Sequence, residues 1–121
     1  MLLEKDLTYR IRGGVYEVFN QLGGGFLEKV YEKALAIELS DQGLEVKRQY
    51  PIKVSYKGTP VGEYIADLVV ENKIIIELKA QDNLLPIHEA QIINYLKATD
   101  MKVGLLINFK HPKAEIKRFV V

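Results

Sequence analysis

Ile11, Val15, Phe19 and Leu22 recur at intervals of three and four, the spacing that gathers side chains on one side of a helix, so a first helix is predicted over about residues 7–21. Gly23-Gly24-Gly25 breaks it. The run has neither a preceding strand nor a following Lys-Ser/Thr, so it reads as a tight helix-helix turn rather than a phosphate cradle. A second helix carries Leu27, Val30, Ala34 and Ile37, with Leu35 and Leu39 slightly offset, and ends at Gly43. Val46, Tyr50, Ile52 and Val54 then mark an extended stretch over residues 44–56, closed by a Lys57-Gly58 turn, with Pro51 pointing to a sheet edge or a bulge. Apolar and β-branched residues fill 64–70 and 74–78 on either side of Glu71-Asn72-Lys73, which predicts an antiparallel hairpin. Pro86 starts a third helix packed through Ile92, Ile93 and Leu96. Residues 102–109 read as a buried strand and 116–121 as a final edge strand.

The hairpin carries the chemistry. If Val70 pairs with Ile74, Asp67 lies opposite Glu77, and alternation places Tyr64, Ala66, Leu68, Val70, Ile74, Ile76, Leu78 and Ala80 on one apolar face. A register shifted by one would mix charge and hydrocarbon on both faces, desolvating charge for no return. The favoured register gathers Asp67, Glu77 and Lys79 on the opposite surface, flanked by Ile65, Val69 and Ile75. Two adjacent carboxylates repel unless a proton or cation lies between them, and hard oxygen donors suit Mg²⁺ or Mn²⁺. Lys79 points the same way, where it can act on an attacking water or on charge developing at a phosphate. The bland reading is a cross-strand ion pair of Lys79 with Asp67, and for an isolated D…ExK it would win.

Composition narrows the classes. A chain of 121 residues holds one core, so a single domain over 1–121 is expected. No apolar run is long enough for a membrane span, and MLLEKDLTYR has no signal-peptide pattern. The absence of cysteine rules out disulfides and thiolate-bound zinc and fits a cytoplasmic protein. A net charge of +1 means that any attraction to nucleic acid comes from local clusters of lysine and arginine. Among scattered basic residues Arg48 is the least easily dismissed as a solvated strand face, and it is expected to contact phosphate.

Asp67 followed by Glu77-Leu78-Lys79 resembles the core of the PD-(D/E)XK nuclease superfamily, with Ala66 standing where the name expects proline. Gly25-Phe26-Leu27-Glu28-Lys29-Val30-Tyr31 is similar to the signature of its GxxExxY family. Gln91-Ile92-Ile93-Asn94-Tyr95 resembles the QxxxY motif of its RecB-like exonuclease branch. The resemblance implies an α/β, restriction-endonuclease-like fold: an αβββαβ core with a central mixed sheet flanked by helices, plus an extra N-terminal helix and a C-terminal edge strand. It implies a divalent-metal-dependent nuclease, with DNA expected over RNA. Asp67, Glu77, the Leu78 carbonyl and Glu28 would hold Mg²⁺ or Mn²⁺, Lys79 would act on water or phosphate, and Gln91, Tyr95, Tyr31 and Arg48 would meet substrate.

The residues themselves also allow blander roles: Glu28 as a helix-dipole partner, Tyr31 as a core-edge aromatic and His88 as a surface or cap residue. Two competing functions remain. One is a nucleic-acid-binding or protein-interaction module with a structural ion-pair cluster. The other is a metal-free RNA-processing enzyme, for which only His88 and His111 could serve. A chain this small would gain contact area by forming a homodimer or joining a larger complex, with exposed sheet edges as the route.

Overall fold

A computed structural model describes residues 3–110 and 112–121, so His111 lies outside the described residues. The elements are α1 (Lys5–Leu22), α2 (Glu28–Asp41), β1 (Val46–Tyr56), β2 (Thr59–Val70), β3 (Ile74–Lys79), α3 (Pro86–Lys97), β4 (Val103–Asn108) and β5 (Glu115–Val120). The strands form one sheet in the order β1-β2-β3-β4-β5, with β3 and β4 parallel and every other neighbouring pair antiparallel. This is the expected αβββαβ order from α2 to β4, preceded by α1 and closed by the edge strand β5. Pro51 sits in the other edge strand, β1, where a missing N–H costs the ladder least.

Alternation along β3 and β4 sends Ile74, Ile76, Leu78, Val103, Leu105 and Ile107 to one face, against Ile11 and Val15 of α1 and Leu35 and Leu39 of α2. Ile75 and Leu106 face the other way, against Ile92, Tyr95 and Leu96 of α3. Both faces of the central strands are therefore covered, which is why they read as continuous apolar runs. The glycine turn between α1 and α2 takes positive φ at Gly23 (69°) and Gly25 (102°), as predicted for a tight break. Gly104 of β4 serves another need: a Cβ there would come within 2.9 Å of the Ile92 side chain, so its absence lets α3 lie close on the sheet.

One sequence expectation fails in an informative way. Tyr64 and Ala66 do not share a face with Leu68 and Val70. Ala66 packs with Ile52, Val69, Ile75 and Tyr95 on the α3 side, and the Tyr64 ring lies 5.8 Å from that of Tyr95, whereas Leu68 and Val70 face α1 and α2. The face switches at Asp67. Directly across in β1, between the pairs Arg48↔Leu68 and Tyr50↔Ala66, Gln49 takes φ 54°, a conformation rare for a residue with a side chain. The two strands flip together at this point, so strict alternation holds on each side of Asp67 and not through it. Beyond it, β1 and β2 continue as a two-stranded ribbon leaning over α3.

Candidate active site

The β2–β3 register begins as expected, with Val70↔Ile74, Val69↔Ile75 and Leu68↔Ile76, and then stops. Where the next rung would form, the Asp67 carboxylate accepts the Leu78 N–H at 2.8 Å. A side chain has replaced a backbone partner, and the strands part there. The N–H and C=O of one strand residue point to the same edge, so the Leu78 carbonyl also faces the gap beside Asp67. On its other edge β3 stays paired with β4 through Glu77↔Leu106, Leu78↔Ile107 and Lys79↔Asn108.

Glu77 shares the α3-side face of β3 with Ile75, and only 5% of its surface is exposed. Its Oε1 is buried without a hydrogen-bond partner. Burial, then the charge of Asp67 and a hydrogen bond with it, push the Glu77 carboxyl up to about 9, with Lys79 pulling weakly the other way. At neutral pH the pair without a cation therefore holds a proton. Tyr95, one helix away, feels both carboxylates: burial first, then Glu77 and Asp67, raise its hydroxyl to about 12, so it remains a hydrogen-bond donor. Gln91 and Tyr95 lie one turn apart on α3 and line the same groove, so both residues of the QxxxY resemblance share one side of the helix.

The loop leaving Lys79 is clamped. Asn108, fully buried, donates from Nδ2 to the Gln81 carbonyl (2.8 Å) and accepts the Gln81 N–H (3.1 Å), and the Phe109 N–H bonds the Lys79 carbonyl at 2.9 Å. Lys79 is thus held at a strand end whose backbone cannot drift. His88 acts locally, its Nδ1 accepting the Leu85 N–H (3.0 Å) at the start of α3, the capping role that its position suggested.

Residues 5–119 match the family model described as the PD-(D/E)XK nuclease superfamily. The chain belongs to the PD-(D/E)XK nuclease superfamily. Its fold agrees: the crystal structure of SSO0001 superposes with a TM-score of 0.61 at 18% identity, over 97% of this chain and 58% of that one. This chain therefore spans under two thirds of that protein, and the likeness at this identity is one of fold, restriction-endonuclease-like α/β. A comparison with curated proteins returns no match. No helix of the described residues is long and apolar enough to cross a membrane.

Against that superfamily membership, the structure brings together Asp67, Glu77, Leu78, Lys79, Gln91 and Tyr95, and sets three other expected residues apart. Glu28 is the first residue of α2, exposed, on a helix that packs on the sheet face opposite Glu77. Among the described residues no third carboxylate or histidine joins the pair to form a metal-holding cluster. Tyr31, expected at substrate, is fully buried: its ring stacks on Phe109 (centroids 4.4 Å apart) and its hydroxyl donates to the Gly23 carbonyl at 2.6 Å, tying the glycine turn to the core. Arg48, expected at phosphate, donates instead from Nε (3.2 Å) and Nη2 (3.0 Å) to Glu32. Tyr31 is held by its own burial and Arg48, itself 41% exposed, by the burial of its partner Glu32; burial is what a sequence pattern reads least well at element edges.

Sequence reasoning passed over Glu32 altogether. It is a buried carboxylate in α2, satisfied by Arg48, by Gln49 Nε2 (2.7 Å) and by the Lys29 ammonium (3.5 Å). A buried charge is tolerated only when so fully bonded. Its place matters because Gln49, the strained residue opposite Asp67, is one of its partners. Gln49 and Asn108 were missed as well, and Tyr64 was read only as part of the apolar face.

Proposed function

We propose that this chain is a divalent-metal-dependent phosphodiesterase of nucleic acid, with DNA the expected polymer. The observation carrying the proposal is the orphaned, buried Glu77 Oε1 beside Asp67 at the point where two strands separate. A purely structural carboxylate would be bonded there, as Glu32 is. Asp67, Glu77 and the Leu78 carbonyl form an all-oxygen donor set, the chemistry that suits Mg²⁺ or Mn²⁺. A bound cation would supply an acidified water and offset charge on the phosphate.

Within that scheme Asp67 holds the strand gap open through the Leu78 N–H, and Glu77 gives up its proton as it takes on cation charge. Lys79 offers an ammonium on the Glu77 side of the strand, able to hold the attacking water by donating a hydrogen bond to it or to neutralise charge on the phosphoryl oxygens. Tyr95 donates a hydrogen bond from a hydroxyl that stays protonated, and Gln91, one turn before it on α3, contacts the substrate beside it. Glu28, exposed on the helix that covers the opposite sheet face, takes no part in this scheme. The QxxxY resemblance, at Gln91 with Tyr95, favours this placement, and the nuclease resemblance as a whole favours DNA. A cytoplasmic location and a homodimer or larger assembly belong to the same proposal. The metal-free RNA-processing alternative loses ground because His88 is occupied as a helix cap.

The test is incubation of purified protein with single- and double-stranded DNA and RNA in Mg²⁺, Mn²⁺ or EDTA. Cleavage that needs the cation and vanishes in both Asp67→Ala and Glu77→Ala, with the fold intact by circular dichroism, is the expected result. Cleavage near wild type in either variant would overturn the assignment.

A further inference from the structure

Beyond Asp67 the β1–β2 ribbon stands away from β3 and leans toward α3, leaving a groove of about 760 Å³ between them. Lys53, Ser55 and Tyr64 form the ribbon wall; Gln91, Asn94 and Lys97 form the helix wall. Ala90, Gln91 and Asn94 of α3 and its C-cap residue Ala98 follow one another at helical spacing, so a single stripe of the helix turns this way. Tyr95 closes the inner end, and it is the residue whose hydroxyl feels Glu77 and Asp67. The groove therefore reaches Tyr95, the residue it shares with the surroundings of the carboxylate pair, while Asp67, Glu77 and Lys79 do not line it.

From these features we infer that the groove is the binding track for a single nucleic-acid strand entering the site. The inference rests on reading Asp67 and Glu77 as the hydrolytic pair. Three properties of the groove carry it. No aspartate or glutamate lines it, and neither Lys53 nor Lys97 pairs with a carboxylate among the described residues, so both ammonium groups are free for phosphates. Tyr64 is 52% exposed with its ring against Tyr95, a platform on which a base can stack, and Ile87 adds exposed apolar surface at 70%. Cationic walls plus an aromatic platform are the recurring means of gripping single strands without regard to sequence. The shape selects against a duplex: a volume within the small-ligand range, roughly 300–1,000 Å³, holds a few nucleotides, whereas a duplex is a convex rod that needs a protruding element to enter its grooves.

The test is fluorescence anisotropy with a labelled single-stranded oligonucleotide and its duplex, both in EDTA so that binding is measured without turnover. Wild type is expected to prefer the single strand. Tyr64→Ala and Lys53→Glu should each weaken it, by about tenfold for the lost stacking platform. Lys33→Glu, exposed on α2 across the sheet, makes the same charge change and should leave affinity within about twofold. Duplex preference, or equal losses in Lys53→Glu and Lys33→Glu, would overturn the groove assignment. A parallel cleavage assay in Mn²⁺ separates the two readings. Cleavage by a protein whose groove variants bind as wild type sinks the groove and keeps the nuclease. Groove-dependent binding by a wild type that never cleaves sinks the nuclease and keeps the groove.

Discussion

Cation binding at the carboxylate pair should expel a proton, and the amount follows from the site. With Glu77 at about 9, ionising it at pH 7 costs about 3 kcal/mol. The apparent affinity for Mn²⁺ at pH 7 should therefore lie about a hundredfold below its plateau and rise about tenfold per pH unit until the plateau near pH 9. Ordinary carboxylates are already ionised at pH 6 and would give no such slope. Isothermal titration in two buffers of different ionisation enthalpy measures the release directly, with about one proton per ion expected at pH 7. Stability should move in step. The raised Glu77 value means that the folded protein binds the proton more tightly than the unfolded chain. The stability this contributes is full below the ordinary value of 4.5 and is lost as pH climbs toward 9, at up to about 1.4 kcal/mol per unit. Mn²⁺ should then raise the melting temperature more at pH 8 than at pH 6. Glu77→Gln should abolish the proton release. Mn²⁺ binding to wild type with a flat affinity between pH 6 and 8 and no proton release would refute the reasoning.

Lys79→Ala should reduce turnover far more than Mn²⁺ affinity, because an ammonium cannot ligate a cation; Lys79→Arg should fail to restore the full rate, and an affinity loss matching that of Glu77→Ala would contradict the assignment. Glu28→Gln should change stability by about 0.3–1 kcal/mol, as for a helix-dipole partner, and leave the rate nearly untouched; cleavage lowered by about tenfold or more would show that the residue supports the site through water. Glu32→Gln should cost about 1–3 kcal/mol of stability from the partners it leaves incompletely bonded, and should also weaken Mn²⁺ binding at Asp67; unchanged Mn²⁺ affinity in the folded variant would confine Glu32 to a structural role. Gly104→Val should destabilise the fold by about 1–3 kcal/mol, as Ile92 and α3 are forced off the sheet, and should slow cleavage through displaced Tyr95 and Gln91; wild-type melting and rate would contradict the close packing.

Much of the fold was legible because periodicity tracks burial. The helices around Ile11 and Leu35, the hairpin register at Val70↔Ile74 and both edge strands follow from spacing and from the few breakers in the chain. Asp67, Glu77 and Lys79 were legible because their alternation is local to one short strand pair. What escaped the sequence was everything set by contacts distant along the chain. Glu32 meets Arg48 and Gln49 across sixteen and seventeen residues, and nothing in either segment alone marks them as partners. The face switch at Asp67 was hidden for a similar reason: alternation assumes an unbroken pleat, while the break depends on Gln49 in another strand accepting positive φ. Tyr31 and Arg48 were drawn toward substrate by their chemistry, whereas packing holds Tyr31 in the core and Glu32 pairs with a still exposed Arg48.

The departure of β2 from β3 also sets how the molecule should open. Pairs from Tyr50↔Ala66 to Tyr56↔Thr59 rest on two strands only, with a register shift at Val54/Ser55, while the rows at 68–70 have a third strand beside them. A two-stranded ribbon is marginal by itself, so its amides should exchange with deuterium as a separate cooperative unit, well before those of 74–79 and 103–108. Each such opening loosens Asp67, the last residue of the ribbon, and leaves Glu77 anchored in the parallel pair. One carboxylate of the site therefore sits on the least protected unit of the sheet and the other on its most protected strand, and a peptide-resolved exchange time course would show the two halves parting at residue 67.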